Sequence, residues 1–396
     1  MTFCTGKASR NSNAGSPSAE TPNTTSPNTK FLNAPVLNGS SQPVGVGPAR
    51  SAQRRWSILN RFSCIAVAWG TAGLVALSPT LAPAQETPAQ QPPAQEIRPQ
   101  AEPAGPVDIG VRETMLKKPD GEVARVKTKY NDIEIAKWRH ELVLSFHVRG
   151  SGHIESIINL RDPDELPLHY TRKMTAALAY PENPQRILMV GLGGGSISTY
   201  LARHMPNLRI DAVDIDPGVI DVAKNYFGLR QTDKVRFFVN DGRVFVRRAS
   251  EPYDIIVMDA FLGAAVPFHL LTREFYALLR EKLTPTGVAV FNVHEGTRFY
   301  LSTLKTLASV FGGIHLYPSG RGEMIVVALP EPAPNVETIK TRAAALQETY
   351  KFRYALPELV ERLAATPNFS DAVLLTDEFA PVDLQGMVNG SGKNRK

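Results

Sequence analysis

The stretch that decides the fold is ILMVGLGGGSISTYLARHMP, residues 187–206. It runs from an apolar tetrapeptide through four glycines into a pattern with helical spacing. Glycines that follow a buried strand let a ligand approach the backbone and let the strand and the next helix pack closely. The stretch therefore predicts a strand, a nucleotide-binding loop and a helix, and Ser196 is expected to cap that helix.

Around this stretch, apolar strands alternate with helical segments over residues 181–385. The strands read RILMV, RIDAVDI, VRFFVN, YDIIVMD and GVAVFNV. Regular alternation of strands and helices predicts an α/β domain, a Rossmann-like parallel sheet with helices on both faces. Residues 107–180 instead show short alternating patterns, such as HELVLSFHV, followed by the helical HYTRKMTAALAYP. They predict a small antiparallel β domain plus a helix in front of the sheet.

The first hundred residues have a different composition. Residues 1–53 are rich in Ser, Asn, Thr, Pro and Gly and predict a disordered leader. Residues 54–84 place three arginines before the apolar run 62–77 and end in a small-x-small site at 82–84, the order of a signal peptide or membrane anchor. Residues 85–106 read as a Pro/Gln-rich linker and 386–396 as a flexible tail. We expect an exported protein, periplasmic or membrane-anchored, or a cytoplasmic one if the true start lies downstream of the signal.

Charge and cysteine content exclude several kinds of site. The net charge is +6, and the basic residues are interleaved with acids, which argues against a nucleic-acid surface. Cys4 and Cys64 are the two cysteines, and both precede the predicted cleavage site. The processed chain would hold no disulfide, thiolate nucleophile or Cys-ligated zinc. The histidines lack metal-site spacing, so no metal is expected.

Acidic residues end the strands that follow the glycine loop. Asp214 ends the second strand, Asp241 with Gly242 follows the third, and Asp259 ends the fourth. Ligands of open α/β sheets bind at the carboxyl ends of the strands, so these acids are expected to meet at one site. Asp214 is placed to bind ribose hydroxyls and Asp241 an adenine amino group, while the neighbouring Asp216 is expected to cap a helix. The spacing departs from GxGxxG, which favours an adenosyl sulfonium over NAD.

These segments resemble the spermidine synthase (polyamine aminopropyltransferase) family, in a divergent bacterial spermidine synthase-like branch. VGLGGGS is similar to the family's GGGDGG loop, NDGRVFV to its DGR loop, and YDIIVMDAF to the strand with its catalytic aspartate. Upstream, residues 130–133 resemble YQDI, 154–156 resemble QS, and Tyr170 matches the tyrosine of YHE. The resemblance implies a Rossmann-like S-adenosylmethionine-dependent-transferase sheet preceded by a small antiparallel β domain.

The resemblance also implies the chemistry and its residues. An aminopropyl group would pass from decarboxylated S-adenosylmethionine to a polyamine or other amine. The co-substrate would be decarboxylated S-adenosylmethionine or S-adenosylmethionine, and no cofactor would be tightly bound. Asp259 would be the catalytic base and Tyr170 would position the amine. The co-substrate would be bound by Gly191, Gly193, Gly194, Gly195, Ser196, Asp214, Asp241, Gly242, Asn131 and Glu155. Whether the protein forms a homodimer is left open.

The sequence departs from the family mainly where the amine groups would bind. Gly194 stands at the loop's aspartate, Leu262 at a second aspartate, and Arg172 at the glutamate of YHE. Asn131 and Glu155 each replace a glutamine. A cation at Arg172 would repel a cationic acceptor unless it is paired. The nucleoside half of the site is therefore better preserved than the acceptor half.

These departures leave two alternatives open. One is a methyltransferase using intact S-adenosylmethionine, because the missing acid at Gly194 makes room for a donor carboxylate. The other is a non-catalytic binding protein for nucleosides or polyamines, because a cofactor site does not itself fix a reaction.

Overall fold

A four-stranded sheet and an eight-stranded sheet carry the part of the chain that the computed structural model describes, residues 95–96, 105–148, 151–262, 265–320 and 322–378. The predicted leader 1–53, the predicted signal 54–84 and the predicted tail 386–396 lie outside these residues. Of the predicted linker 85–106, the described part includes β1 (Gln95–Glu96), which pairs with a strand of the large sheet.

The small sheet confirms the predicted antiparallel β unit. Its strands run in the order β2 (Gly121–Lys127), β3 (Asp132–Trp138), β4 (Glu141–Val148) and β5 (Ser151–Asn159), each antiparallel to the next. Buried and partly exposed residues alternate along β3, so one face of the sheet packs into the core.

A helix precedes this sheet that the sequence analysis does not predict. Helix α1 (Ile109–Lys117) begins after Asp108, whose side chain accepts a hydrogen bond from the backbone N–H of Val111. Arg112 and Met115 are the buried residues of α1, so the helix has no apolar stripe for a periodicity to reveal.

The large sheet contains five parallel strands in the order β8 (Val235–Val239), β7 (Arg209–Asp214), β6 (Arg186–Val190), β9 (Tyr253–Met258) and β10 (Leu283–His294). The chain proceeds from β6 to β7 and β8 on one side, then crosses to β9 on the other. The switch point between β6 and β9 is where an open α/β sheet binds its ligand.

The five predicted strands are parallel, as expected, and the far edge of the sheet adds two strands that the sequence analysis does not predict. Strands β11 (Ile314–Gly320) and β12 (Glu323–Ala328) form an antiparallel hairpin, and β12 is antiparallel to β10. Glycines at 320 and 322 have φ angles of 88° and 78°, which suit the turn between these strands. The sheet is therefore mixed, with the overall Rossmann-like arrangement retained.

Helices cover both faces of the large sheet, and each face has its own apolar core. Their bounds are α2 His169–Met174, α3 Ser196–His204, α4 Pro217–Asn225, α5 Gly242–Arg248, α6 Arg273–Glu281, α7 Tyr300–Ala308, α8 Val336–Tyr350 and α9 Leu356–Glu361, with 3₁₀ turns at Thr175–Ala179 and Phe268–Leu270. In the described ranges, no helix combines the length and the apolar character that a membrane crossing needs.

Candidate functional site

A cavity of about 210 Å³ lies at the carboxyl ends of β6, β7 and β9, with residues of the small sheet in its wall. It brings together most of the residues that the sequence analysis selects. Those that line it are Gly191, Gly193, Ser196, Asp214, Asp241, Gly242, Asp259, Tyr170, Asn131 and Glu155. Gly194 and Gly195, also predicted to bind the co-substrate, are absent from the lining.

The glycine loop folds tightly over the end of β6. Gly191 has a φ angle of 92°, and a Cβ there would lie 2.2 Å from the carbonyl oxygen of Asp259. The backbone N–H of Gly194 donates to the hydroxyl of Ser156, at 2.8 Å. The loop therefore packs closely against Asp259 at the end of β9 and is hydrogen-bonded to Ser156 of β5.

Two loop residues differ from their predicted roles. Gly195, with a φ angle of 71°, is the residue that caps α3, and Ser196 is the first residue of that helix rather than its cap. Only glycine adopts this left-handed conformation at little cost, so Gly195 serves as the cap and the helix begins one residue earlier than predicted. A Cβ on Gly194 would lie 2.8 Å from the Phe227 ring, so this position faces the protein interior and opens no room for a donor carboxylate.

Asp214 lies at the end of β7, beside the loop. One of its oxygens accepts from the backbone N–H of Leu192 at 3.0 Å, and the other from that of Asp216 at 2.9 Å. Burial raises the pKa of Asp214 to about 6, although these backbone hydrogen bonds oppose the shift. The carboxylate is thus fixed at the cavity wall, where an acceptor for ribose hydroxyls is predicted.

Asn131 is hydrogen-bonded to Asp216, the residue that caps α4 beside the site. Asp216 caps α4, as predicted, by accepting from the backbone N–H of Gly218 at 2.9 Å. Its second oxygen accepts from the Asn131 side-chain amide at 2.8 Å and from the Thr128 hydroxyl at 2.6 Å. The turn between β2 and β3 is thereby joined to the large sheet, and Asn131 lines the cavity with its amide already bound to Asp216.

Asp241 lines the cavity where the sequence analysis predicts contact with an adenine amino group. One oxygen caps α5 by accepting from the backbone N–H of Val244 at 3.0 Å, and the other lies 2.9 Å from Nε2 of His269. Burial raises the pKa of Asp241, but the hydrogen bonds from His269 and the helix outweigh it and leave the pKa lowered. Gly242 lets α5 approach β6, since a Cβ there would lie 2.5 Å from the Val190 side chain.

Asp259 ends β9 at the centre of the cavity. Its Oδ1 accepts from the Asn292 side-chain amide at 3.0 Å, and the Tyr170 hydroxyl is a second hydrogen-bond partner. Burial raises the pKa of Asp259 to about 6, against the effect of these two hydrogen bonds. Such a carboxyl is ionised at neutral pH and has a proton affinity suited to general-base catalysis. The Tyr170 hydroxyl also lies 2.9 Å from the carbonyl oxygen of Glu155, so its single proton is shared between this oxygen and Asp259.

Glu155 contributes a fourth carboxyl to the cavity, from the small sheet. Burial raises its pKa to about 8, and repulsion from Asp259, Asp214 and Glu323 adds to this. The described lining residues include four carboxyls and no lysine or arginine. An empty cavity with this composition stabilises a positive charge on whatever it binds.

Arg172 does not introduce the repulsion that the sequence predicts. Its Nε donates to the carbonyl oxygen of Leu166, and one of its terminal nitrogens to that of Pro167 at 3.3 Å. It is not among the lining residues. Leu262, by contrast, does line the cavity, and 47% of its surface is exposed. An apolar side chain therefore stands where the family resemblance places an acid.

Sequence reasoning missed two residues that position the site. Ser156 holds the glycine loop and Asn292 holds Asp259. Asn292 follows the strand pattern of β10, so the rule that parallel strands end at one edge could have identified it. Ser156 belongs to the segment 154–156 that resembles QS, but its contact with the loop depends on how the two sheets pack. Among the described residues, no group of three or more His, Cys, Asp or Glu side chains could hold a metal ion.

Comparisons with known proteins agree with this geometry. Residues 169–309 match the family described as spermine/spermidine synthase domain. A polyamine aminopropyltransferase from Vibrio vulnificus is 31% identical over 267 residues, which cover 65% of this chain and 89% of that protein. One from Chromobacterium violaceum is 33% identical over 230 residues, which cover 57% and 87%.

Two further similarities, one in sequence and one in structure, support more limited conclusions. An eEF1A lysine and N-terminal methyltransferase from Bos taurus is 33% identical over 150 residues, which cover 33% of this chain but 22% of that protein. A crystal structure of a spermidine synthase in complex with the transition state analogue AdoDATO has a TM-score of 0.51 at 17% identity, covering 63% of this chain and 86% of that one. The second likeness shows a shared fold.

Proposed function

The chain belongs to the spermidine synthase family of polyamine aminopropyltransferases, and from the charge of its cavity we propose that it transfers an aminopropyl group from decarboxylated S-adenosylmethionine to an amine. The carrying observation is the set of four carboxyls with no lysine or arginine in the described lining. The decarboxylated donor presents a sulfonium and an ammonium to these acids. The intact donor would add a carboxylate with no cationic partner, which is unfavourable in a buried site.

The proposed reaction needs positioning and one proton acceptor. The acceptor nitrogen forms a bond to the donor carbon next to sulfur, and the carbon–sulfur bond breaks as its electron pair goes to sulfur. The acceptor ammonium first gives a proton to Asp259, the resulting free amine makes the attack, and methylthioadenosine leaves as a neutral product. Tyr170 and Asn292 hold Asp259 in place, so the chain contributes orientation and a base of suitable pKa.

The test is release of methylthioadenosine by the purified full chain, supplied with the decarboxylated donor and a panel of amines. We expect Asp259→Asn to lower kcat by about 10²- to 10⁴-fold, the range of a lost general base, with methylthioadenosine binding retained. Asp233→Asn, at an exposed carboxyl outside the cavity, is the matched control and should keep full activity.

Other products would reject the proposal. Release of S-adenosylhomocysteine from intact S-adenosylmethionine would identify a methyltransferase, the activity named for the relative from Bos taurus. Tight ligand binding without turnover, unchanged by Asp259→Asn, would identify a binding protein.

We also propose that residues 54–84 direct the chain out of the cytoplasm. The support is the order of three arginines, the apolar run 62–77 and the small-x-small site at 82–84. Fusion of residues 1–104 to a phosphatase that is active only after export should give activity, and Leu74→Arg in the apolar run should abolish it. A cytoplasmic, inactive fusion would contradict export, and a fusion that stays with the membrane fraction would identify an anchor.

A further inference from the structure

A second, smaller cavity of about 70 Å³ lies beside the first. Its wall includes Ala260, Phe261 and Leu270, which also line the first cavity, so the two cavities are adjacent and share these residues. Much of the remaining lining is aromatic or aliphatic, with Phe291 from β10 and Phe299 from the segment before α7. A mainly apolar space therefore lies next to the site at Asp259.

In the part of the chain that the structure describes, two buried polar atoms of this wall have no hydrogen-bond partner, the Tyr276 hydroxyl and Oδ1 of Asn292. Tyr276 is 0% exposed and Asn292 is 5% exposed. The orientation of Asn292 is fixed, because its Nδ2 donates to the Asp259 carboxylate and its Oδ1 must then face away. Unpaired polar atoms at such depth are costly, and a ligand group that pairs with both would be favoured.

The charge of the second cavity restricts that ligand group. Its described lining residues include no aspartate, glutamate, lysine or arginine. His294 lines it, and burial lowers the pKa of that imidazole, so it is neutral at pH 7. An ammonium group would be buried here without a counter-charge. A hydroxyl group fits better, because it donates to Oδ1 of Asn292 and accepts from the Tyr276 hydroxyl at once.

We propose that this second cavity binds the carbon arm of the acceptor, and that the arm ends in a hydroxyl, so that the preferred acceptor is an amino alcohol rather than a diamine. The inference rests on the proposed aminopropyl transfer. The acceptor nitrogen lies at Asp259, its methylene groups pass Phe261, and its hydroxyl reaches Tyr276 and Asn292.

The test compares three acceptors of equal chain length with the full chain and the decarboxylated donor: aminopentanol, pentylamine and cadaverine. We expect kcat/KM to be highest for aminopentanol. Tyr276→Phe should lower kcat/KM for aminopentanol by about tenfold, the effect of one lost hydrogen bond, and leave pentylamine unchanged. The matched control is Tyr317→Phe, another fully buried tyrosine whose hydroxyl is bound to Tyr180, and it should keep the preference.

Calorimetry with methylthioadenosine present separates this inference from the proposed function. Aminopentanol binding that weakens about tenfold in Tyr276→Phe supports the cavity assignment even if no amine is turned over. Equal binding by the wild type and Tyr276→Phe, or a preference for cadaverine, would overturn it, whether or not transfer occurs.

Discussion

A carboxyl is present in the cavity at Glu155 and missing at Gly194, where the family resemblance places one. The family resemblance places an acid at position 194, but the structure leaves that position no space beside Phe227. Glu155 lines the cavity from the opposite sheet and adds a carboxyl where the resemblance implies a glutamine. We therefore propose that Glu155, on β5, supplies the negative charge that the donor's ammonium requires.

Replacing this carboxyl should separate binding of the charged donor from binding of the neutral product. We expect Glu155→Gln to weaken the decarboxylated donor about tenfold to a hundredfold, the range for a lost charge-assisted hydrogen bond, and to leave methylthioadenosine affinity unchanged. Calorimetry at pH 7 in buffers of different ionisation enthalpy should show proton release on donor binding in the wild type alone, because the cation lowers a pKa of about 8 in the empty cavity.

The control for this prediction is Glu113→Gln, an exposed glutamate on α1. It should match the wild type in both affinity and proton release. Equal weakening of donor and methylthioadenosine by Glu155→Gln would contradict the charge-specific role.

At the scale of elements, the glycine loop is fixed by its neighbours as much as by its own residues. We expect Gly194→Asp, which restores the family's acid, to lower the free energy of unfolding by about 1–3 kcal/mol, because its Cβ would crowd the Phe227 ring and Ser156. Denaturant unfolding measures this. Gly296→Asp is the control, since a Cβ there meets no atom within 4 Å. Wild-type stability together with tighter donor binding would show that the loop has room after all.

The same elements show what a sequence can and cannot predict. The parallel strands and their acids were predictable, because buried strands are continuous apolar runs and their ends share one edge. Helix α1 was missed because its buried residues form no stripe, and the β11–β12 hairpin because no alternating helix separates its strands. Asp214, Asp241 and Asp259 were found from chain position alone. Placement of Arg172 and Gly194 outside the cavity depends on packing, which periodicity does not encode.

For the whole molecule, the acidic cavity should make stability depend on pH. The pKa of Glu155 is raised from 4.5 to about 8, so the folded state holds more protons than the unfolded state between these values. The free energy of unfolding therefore falls as pH rises through this window. Burial lowers the pKa values of His294 and His315. Below about pH 6.5, where free histidine titrates, the unfolded state therefore holds more protons on these residues, and their contribution makes the free energy of unfolding rise with pH.

We therefore expect Tm of the ligand-free protein to fall between pH 6.5 and about 8.5, and to fall much less in Glu155→Gln. Thermal unfolding followed by circular dichroism measures both. Saturating decarboxylated donor should flatten the wild-type curve, because the bound cation lowers the carboxyl pKa values. A Tm that rises over this range in the wild type would contradict a buried, protonated Glu155.

The hydrogen bond from the Gly194 amide to Ser156 has a consequence for biosynthesis. Ser156 is synthesised before residues 191–196, so the hydroxyl that binds the glycine loop has already left the ribosome when the loop emerges. The anchor also lies upstream of residues 169–309, the segment that matches the family domain. A chain shortened from its amino end beyond β5 would keep the glycines of the loop, Gly191 and Gly193 to Gly195, and lose the Ser156 hydroxyl that binds the Gly194 amide.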